Sequence, residues 1–286
     1  LESRQQQSQP TDWSVRPLPR TWADAIDLAT PSGVMLLLSG AWRSLWRRSR
    51  PLEVPAELPG RDRLPNYLLH EFHGMPNGYY SEKLVASYAR GFEAVMLGKM
   101  GQARARIAQR LQGADRVLDV GCGAGHLAAE LQRGGASEVW GLDPCPYALK
   151  LGHRELPHVK FVQGLAEDTG FPSRSLDGAG ACFVFHELPE AVADQSLREL
   201  HRVLVPGALL AITEPSPLHL KTSVWRLLLQ GKWLGPYFKA LGRMVYEPYL
   251  RDWLAREPKE WFARHGFELI HDDVGVPFRE LVARRR

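Results

Sequence analysis

The stretch Val117-Leu118-Asp119-Val120-Gly121-Cys122-Gly123-Ala124-Gly125-His126 decides how the chain is read. An apolar strand runs straight into a turn with glycine at alternate positions, and a helical pattern begins at Leu127. Glycines there remove the Cβ atoms that would keep a ligand off the backbone, and the following helix N-terminus offers unpaired N–H groups. The pattern is G-x-G-x-G; a dinucleotide fingerprint wants its third glycine where His126 stands, which weakens a pyrophosphate reading and, with it, a nicotinamide-dependent oxidoreductase.

Working outward, short apolar β-type runs alternate with helical patterns, the mark of βαβ units on a parallel sheet. Strands are expected at 116–120, 138–142, 159–163, 176–185 and 208–213, with helices at 127–133, 147–155 and 190–203. A helix over 259–265 and a strand pair at 267–273 and 278–283 close the domain. The fold class is α/β, a doubly wound and mostly parallel sheet, with a helical, tryptophan-rich insert over 216–251 after the fifth strand. Residues 66–286 form the main domain and 1–65 an N-terminal extension. Within that extension, 1–21 reads as a disordered or loosely tethered lead, 22–50 as two short basic and aromatic helices, and 51–65 as a Pro-rich linker.

Two acidic positions extend the ligand site. Asp143 ends the second strand, where a carboxylate can accept both hydroxyls of a ribose. Asp168 follows the third strand in Ala166-Glu167-Asp168-Thr169-Gly170-Phe171-Pro172, placed to accept from the exocyclic amine of an adenine. Taken in order along three βα units, these point to an adenosine-bearing ligand.

From about Asp115 to Pro215 the chain resembles the class I S-adenosylmethionine-dependent methyltransferases of the small-molecule type, which include quinone and sterol methylases. The resemblance rests on Asp119-Val120-Gly121-Cys122-Gly123-Ala124-Gly125, on Gly141-Leu142-Asp143, on the 166–172 loop, and on Arg202-Val203-Leu204-Val205-Pro206-Gly207-Ala208, where Ala208 replaces a glycine. It covers roughly a third of the chain and implies a seven-stranded sheet with the last strand antiparallel. It also implies a cofactor, S-adenosyl-L-methionine, lying across the C-terminal strand ends. Asp119, Gly121 and Gly123 would face its methionine part, Asp143 its ribose and Asp168 its adenine, with Cys122, Gly125, Pro144 and Glu167 also among the cofactor-binding residues. Phe183 would line the transfer cavity after the fourth strand. The implied enzyme carries out in-line methyl transfer to a small, lipophilic acceptor.

Candidates for moving a proton are His186, His73 and Glu187, because an imidazole or a carboxylate can take one from a phenol, thiol or amine. His186 ranks first, although a strand-end histidine satisfied by backbone and a helix-starting Glu187 account for the same residues. The run Phe72-His73-Gly74-Met75-Pro76-Asn77-Gly78-Tyr79-Tyr80-Ser81 is read either as a flap that brings Tyr79 or Tyr80 to the cofactor or as a structural turn. Cys122 is read as a small buried residue.

Composition sets the bounds. With 44% hydrophobic and 24% charged residues, 286 residues describe a folded globular chain. The net charge of +4 is local: 216–251 holds six basic residues and one acidic, whereas a nucleic-acid binder would show a broader basic face. Strand four lacks the N-P-P-Y or D-P-P-Y run of amino-methylating nucleic-acid enzymes. Three cysteines without C-x-x-C spacing argue for a reducing compartment and against a metal site, as does His186-Glu187-Leu188-Pro189-Glu190, which is not H-E-x-x-H. No apolar run approaches the roughly 18–20 residues needed to span a bilayer, and no secretory signal is visible. The expected setting is cytoplasmic, for a monomer or homodimer. The aromatics and cations of 22–50 and 216–251 suit either a peripheral membrane contact or a substrate lid. A methylase of a soluble metabolite and a non-catalytic cofactor-binding protein stand as the alternatives.

Overall fold

The computed structural model describes residues 11–27, 30–46, 48, 50–71 and 73–286. The first ten residues of the polar lead, Arg47 of the basic cluster and Phe72 of the 72–81 run lie outside the described residues.

Seven strands form one sheet: β1 (Arg116–Val120), β2 (Glu138–Asp143), β3 (Lys160–Gln163), β4 (Leu176–Cys182), β5 (Leu204–Pro215), β6 (Phe267–Val274) and β7 (Phe278–Arg285). Their order is β3-β2-β1-β4-β5-β7-β6, with β7 antiparallel to both neighbours and the first five strands parallel. The doubly wound expectation is met, and the order reverses between β1 and β4, where ligands bind in open α/β sheets.

Both faces of the sheet are covered, which is why β1, β4 and β5 are apolar runs with little alternation. On one face α3 (Lys99–Arg110), α4 (His126–Arg133) and α5 (Pro146–Glu155) bury Ile107, Leu127 and Leu149 around Val117 and Phe161. On the other, α6 (Glu190–Val203) and α11 (Pro258–Arg264) bury Leu197, Leu200, Trp261 and Phe262 around Leu118 and Leu210. Adjacent residues of β1 therefore serve opposite cores, as strand geometry requires.

Three segments outside the sheet shape its C-terminal edge. Among the described residues of the region expected to hold two short helices, Pro31–Leu45 is the one α-helix, α1, and Trp22–Ala25 is a single 3-10 turn. Residues from Thr11 onward are docked rather than loosely tethered. Trp13 is buried, with its Nε1–H donating to the Phe161 carbonyl at 3.2 Å, and Tyr147 donates to the Pro19 carbonyl at 2.7 Å. A large aromatic outweighs the polar composition around it. The second segment is α2 (Glu82–Val95), preceded by the 73–81 loop. The third is the insert, with α7 (Pro217–Lys221), α8 (Val224–Leu229), α9 (Gly235–Met244) and then α10 (Leu250–Ala255).

The strand expected over 176–185 stops at Cys182, because Glu214 at the end of β5 captures the backbone beyond it and turns 185–187 into a 3-10 turn. β5 in turn runs longer than expected at both ends, 204–215, because it pairs with β4 on one side and β7 on the other.

Candidate functional site

The glycine turn after β1 is built as its sequence demands. Gly121, Gly123 and Gly125 take φ of 63°, 51° and 82°. A Cβ at Gly121 would strike Val184 and one at Gly125 the Phe161 ring, whereas one at Gly123 would meet open space. That open space belongs to a cavity of about 250 Å³.

Two carboxylates flank the turn. Asp143 accepts from the N–H of Gly123 and of Cys145, one on each oxygen, both at 2.8 Å. Burial outweighs those bonds and lifts Asp143 to about 6. Asp119 accepts from the Ala128 N–H of α4 at 2.8 Å, and burial lifts it to about 8. Buried carboxylates of this kind gain from a cation or from hydroxyl donors placed beside them, and phosphates would be repelled.

The wall opposite comes from the 73–81 loop. Asn77, at φ 55°, accepts on Oδ1 from the Glu53 N–H and donates from Nδ2 to the Tyr80 carbonyl. Glu71 receives the Asn77 N–H and pairs with Arg43 of α1 at 3.1 Å, so buried polar bonds hold the loop rigid. Tyr79 and His73 meet through a 2.7 Å bond at His73 Nδ1, and the His73 ring lies parallel to Tyr88, 5.9 Å away. The loop is thus a fixed wall rather than a bare connection.

At the far end of the cavity, Glu214 is fully buried and accepts from the N–H groups of Val184 (2.9 Å), Phe185 (2.7 Å) and His186 (3.4 Å), and from or with His186 Nδ1 at 2.5 Å. The other ring nitrogen of His186 lies 3.5 Å from Glu247, a residue of the insert, and Glu247 also lies 3.4 Å from His73 Nε2. Glu187 stands 3.4 Å from the same His73 nitrogen. Burial by itself would neutralise these groups, yet each histidine faces two carboxylates. His73 and His186 are both raised above the usual 6.5, and Glu247 is lowered. Glu187, for which burial dominates, is raised.

Tyr79, Tyr80, Asp119, Gly121, Cys122, Gly123, Asp143, Pro144 and Phe183 all line this one cavity, as do His73 and Glu187. Four expected residues do not. His186 is fully buried behind the lining, where it braces Glu247; Gly125 caps α4 from below. Glu167 accepts from Tyr67 at 2.7 Å and its other oxygen is buried without a partner, while Asp168 is exposed and borders a neighbouring depression. Cys122 is buried and its thiol is held up by that burial, in keeping with its structural reading.

Glu214 and Glu247 escaped the sequence reading, though each leaves a trace there. Glu214 is a lone acid at the end of an apolar strand, and Glu247 is the one acidic residue of the basic 216–251 stretch.

A second cavity of about 310 Å³ adjoins the first, with His73, Tyr88, Phe92, Phe183 and Glu247 on the shared wall. Apart from the buried imidazole of His219, the rest of it is apolar, chiefly Val95, Phe238, Leu241 and Val245. Phe183 stands at the junction with a φ of 63°, a conformation that costs a bulky residue of order 1–3 kcal/mol. Glu214 and the Thr213 carbonyl hold the backbone on either side of that bend, and the Phe183 ring is wedged against Phe92 and Phe278. Among the described residues no cluster of His, Cys, Asp and Glu is arranged to hold a metal.

The histidine–carboxylate cluster sets a pH window for stability. A raised histidine contributes fully below its usual 6.5 and loses that contribution as pH rises through its folded value, while the lowered Glu247 contributes above its usual 4.5 and loses it as pH falls. Replacing His186 with Gln is expected to cost about 3–5 kcal/mol, the scale for breaking a buried ion pair. In denaturant titrations the deficit should be largest between pH 4.5 and 6.5 and shrink toward alkaline pH. A deficit that does not change with pH would mean that His186 is neutral in the fold.

Comparison with known proteins agrees with this geometry. A family model described as a methyltransferase domain matches residues 117–207. An uncharacterized methyltransferase of Synechocystis is 36% identical over 99 residues, 35% of this chain and 46% of that protein. A demethylmenaquinone methyltransferase of Chlorobaculum tepidum is 34% identical over 100 residues, 35% and 40% of the two chains. The chain thus spans less than half the length of these two relatives. A third, the demethylmenaquinone methyltransferase of Geobacillus kaustophilus, is 29% identical over 208 residues, 70% of this chain and 84% of that one. The matched domain begins within β1 and takes in the glycine turn, the acidic end of β2 and the loop after β3, so residues 117–207 of this chain are similar to a methyltransferase domain.

Proposed function

We propose that this chain methylates a small lipophilic acceptor, a quinone or similar ring compound, seated in the apolar second cavity. The observation that carries this reading is the junction of the two cavities, where a carboxylate-rich cleft meets an apolar chamber across His73, Glu247 and Phe183. Relatives named for methylating demethylmenaquinone support that class of acceptor.

The cleft fits S-adenosylmethionine. Asp143 has lone pairs left for ribose hydroxyls, and Gly123 leaves room for backbone approach. Asp119, Glu187 and Glu247 line the cleft; Glu247 is held in its charged form, and the buried carboxyls of Asp119 and Glu187 would gain from a cationic ligand beside them. When bound, the cofactor supplies a methyl group on a positively charged sulfur that is its own leaving group.

The chain's work is then positioning and proton handling. Phe92, Phe183 and Phe238 shape the apolar chamber and exclude water. His73, which borders both cavities, takes over the role assigned first to His186: it can receive the acceptor's proton while Tyr79 fixes its Nδ1 and Glu187 and Glu247 stabilise the imidazolium. His186 and Glu214 position Glu247.

For the cleft, Asp143→Ala is expected to weaken S-adenosylhomocysteine binding by about 1–3 kcal/mol. Because hydroxyl donors favour the ionised carboxylate, affinity measured by calorimetry should fall as pH drops through about 6, and Asp143→Asn should flatten that dependence. Unchanged affinity in both variants would remove Asp143 from the cofactor site.

For the chemistry, methyl-labelled S-adenosylmethionine supplied with soluble, lipid and protein fractions of a cell extract should label the lipid fraction. Label confined to soluble small molecules would contradict the lipophilic acceptor. Against the labelled acceptor, turnover should rise with pH above 6.5 as His73 loses its proton, and His73→Gln should remove that limb and about 10²–10⁴-fold of the rate while leaving S-adenosylhomocysteine affinity intact. A His73→Gln enzyme with wild-type turnover would exclude the base.

A further inference from the structure

The outer face of the insert is as apolar as its inner face. Phe238 and Leu241 of α9 point into the second cavity, yet Trp225, Leu229 and Trp233 on the other side are 78%, 88% and 73% exposed. Helix α1 repeats this, with Met35, Leu38 and Trp42, and Trp46 just beyond its end, each more than 60% exposed. Helix α9 packs against both α1 and α8, so the elements that carry the two exposed sets are joined through α9. Single exposed apolar residues are ordinary, but a group of large ones marks a surface that meets something.

The charges around this surface are sorted by sign. Arg226, Lys232 and Arg243 of the insert are exposed, as are Arg48 and Arg50 beyond α1. The one acid of the insert, Glu247, is turned inward to His73 and His186. Lys239 is not part of the outer charge, since its ammonium is buried and donates to the carbonyls of His219, Leu220 and Thr222. What faces outward is tryptophan and leucine among cations.

We propose that α1 and the outer face of the insert form a docking surface for an anionic lipid bilayer. Tryptophan rings favour the headgroup boundary, leucine and methionine side chains enter the acyl region beneath it, and arginine and lysine pair with lipid phosphates. Among the described residues no helix is long and apolar enough to cross a membrane, so the contact is peripheral. A second copy of the chain is the poorer occupant: a two-fold contact would set the same cations of both copies against each other. The proposal rests on this surface alone and is independent of which acceptor the enzyme methylates.

Flotation of the full chain with vesicles of phosphatidylcholine, or of phosphatidylcholine mixed with phosphatidylglycerol, tests it. The wild-type chain should float with the phosphatidylglycerol-containing vesicles and far less with the neutral ones, and added salt should weaken the association. Trp225→Glu combined with Trp233→Glu should abolish flotation, as should Arg226→Glu combined with Lys232→Glu, while both variants keep wild-type affinity for S-adenosylhomocysteine. A wild-type chain that stays in solution with both vesicle types would overturn the proposal. So would a dimer, detected by light scattering, that the tryptophan variant dissolves, since it would assign the face to a second copy.

Discussion

The buried carboxylate of Glu214 is the constraint on which the rest of the site depends. It sits at the end of β5, out of contact with water, and collects the backbone N–H groups of Val184, Phe185 and His186. Without those acceptors the turn after β4 would leave donors unsatisfied in the interior, each at a cost of about 1–3 kcal/mol. With them, β4 ends at Cys182, Phe183 is bent into the cavity junction, and Val184 is set against Gly121 of the cofactor turn.

Charge balance then carries this constraint outward. A fully buried carboxyl group needs partners, and besides those backbone groups the His186 ring supplies one at 2.5 Å. The protonated ring in turn faces Glu247, which ties the insert to the sheet, and Glu247 faces His73, which ties in the loop before α2. Sheet, insert and loop are thereby joined by one alternating row of carboxylates and imidazoles. The row runs along the boundary between a cleft suited to a charged, hydroxylated cofactor and a chamber suited to an apolar acceptor.

How much of this was legible in the sequence depends on the range of the interactions. The sheet, its winding and the cofactor turn follow from local patterns: an apolar strand, alternate glycines, and an acid at the next strand end. Asp119, Gly123 and Asp143 accordingly converge on one cavity. Glu214 and Glu247 were passed over because their roles come from partners 28–30 and 61–174 positions away along the chain, which no local pattern encodes. The same reason explains His186, whose place in the sequence suits a base but whose ring is enclosed by Glu214 and Glu247, leaving His73 as the imidazole that borders both cavities. The docking of Trp13 on β3 is likewise a distant contact hidden in polar surroundings.

The most direct measurement of the central claim is a crystal structure of the chain with S-adenosylhomocysteine bound. The account predicts the ribose hydroxyls on the Asp143 carboxylate and the sulfur at the junction, facing the apolar chamber beside His73 and Glu247. A ligand whose ribose avoids Asp143, or whose sulfur is turned away from that chamber, would contradict it.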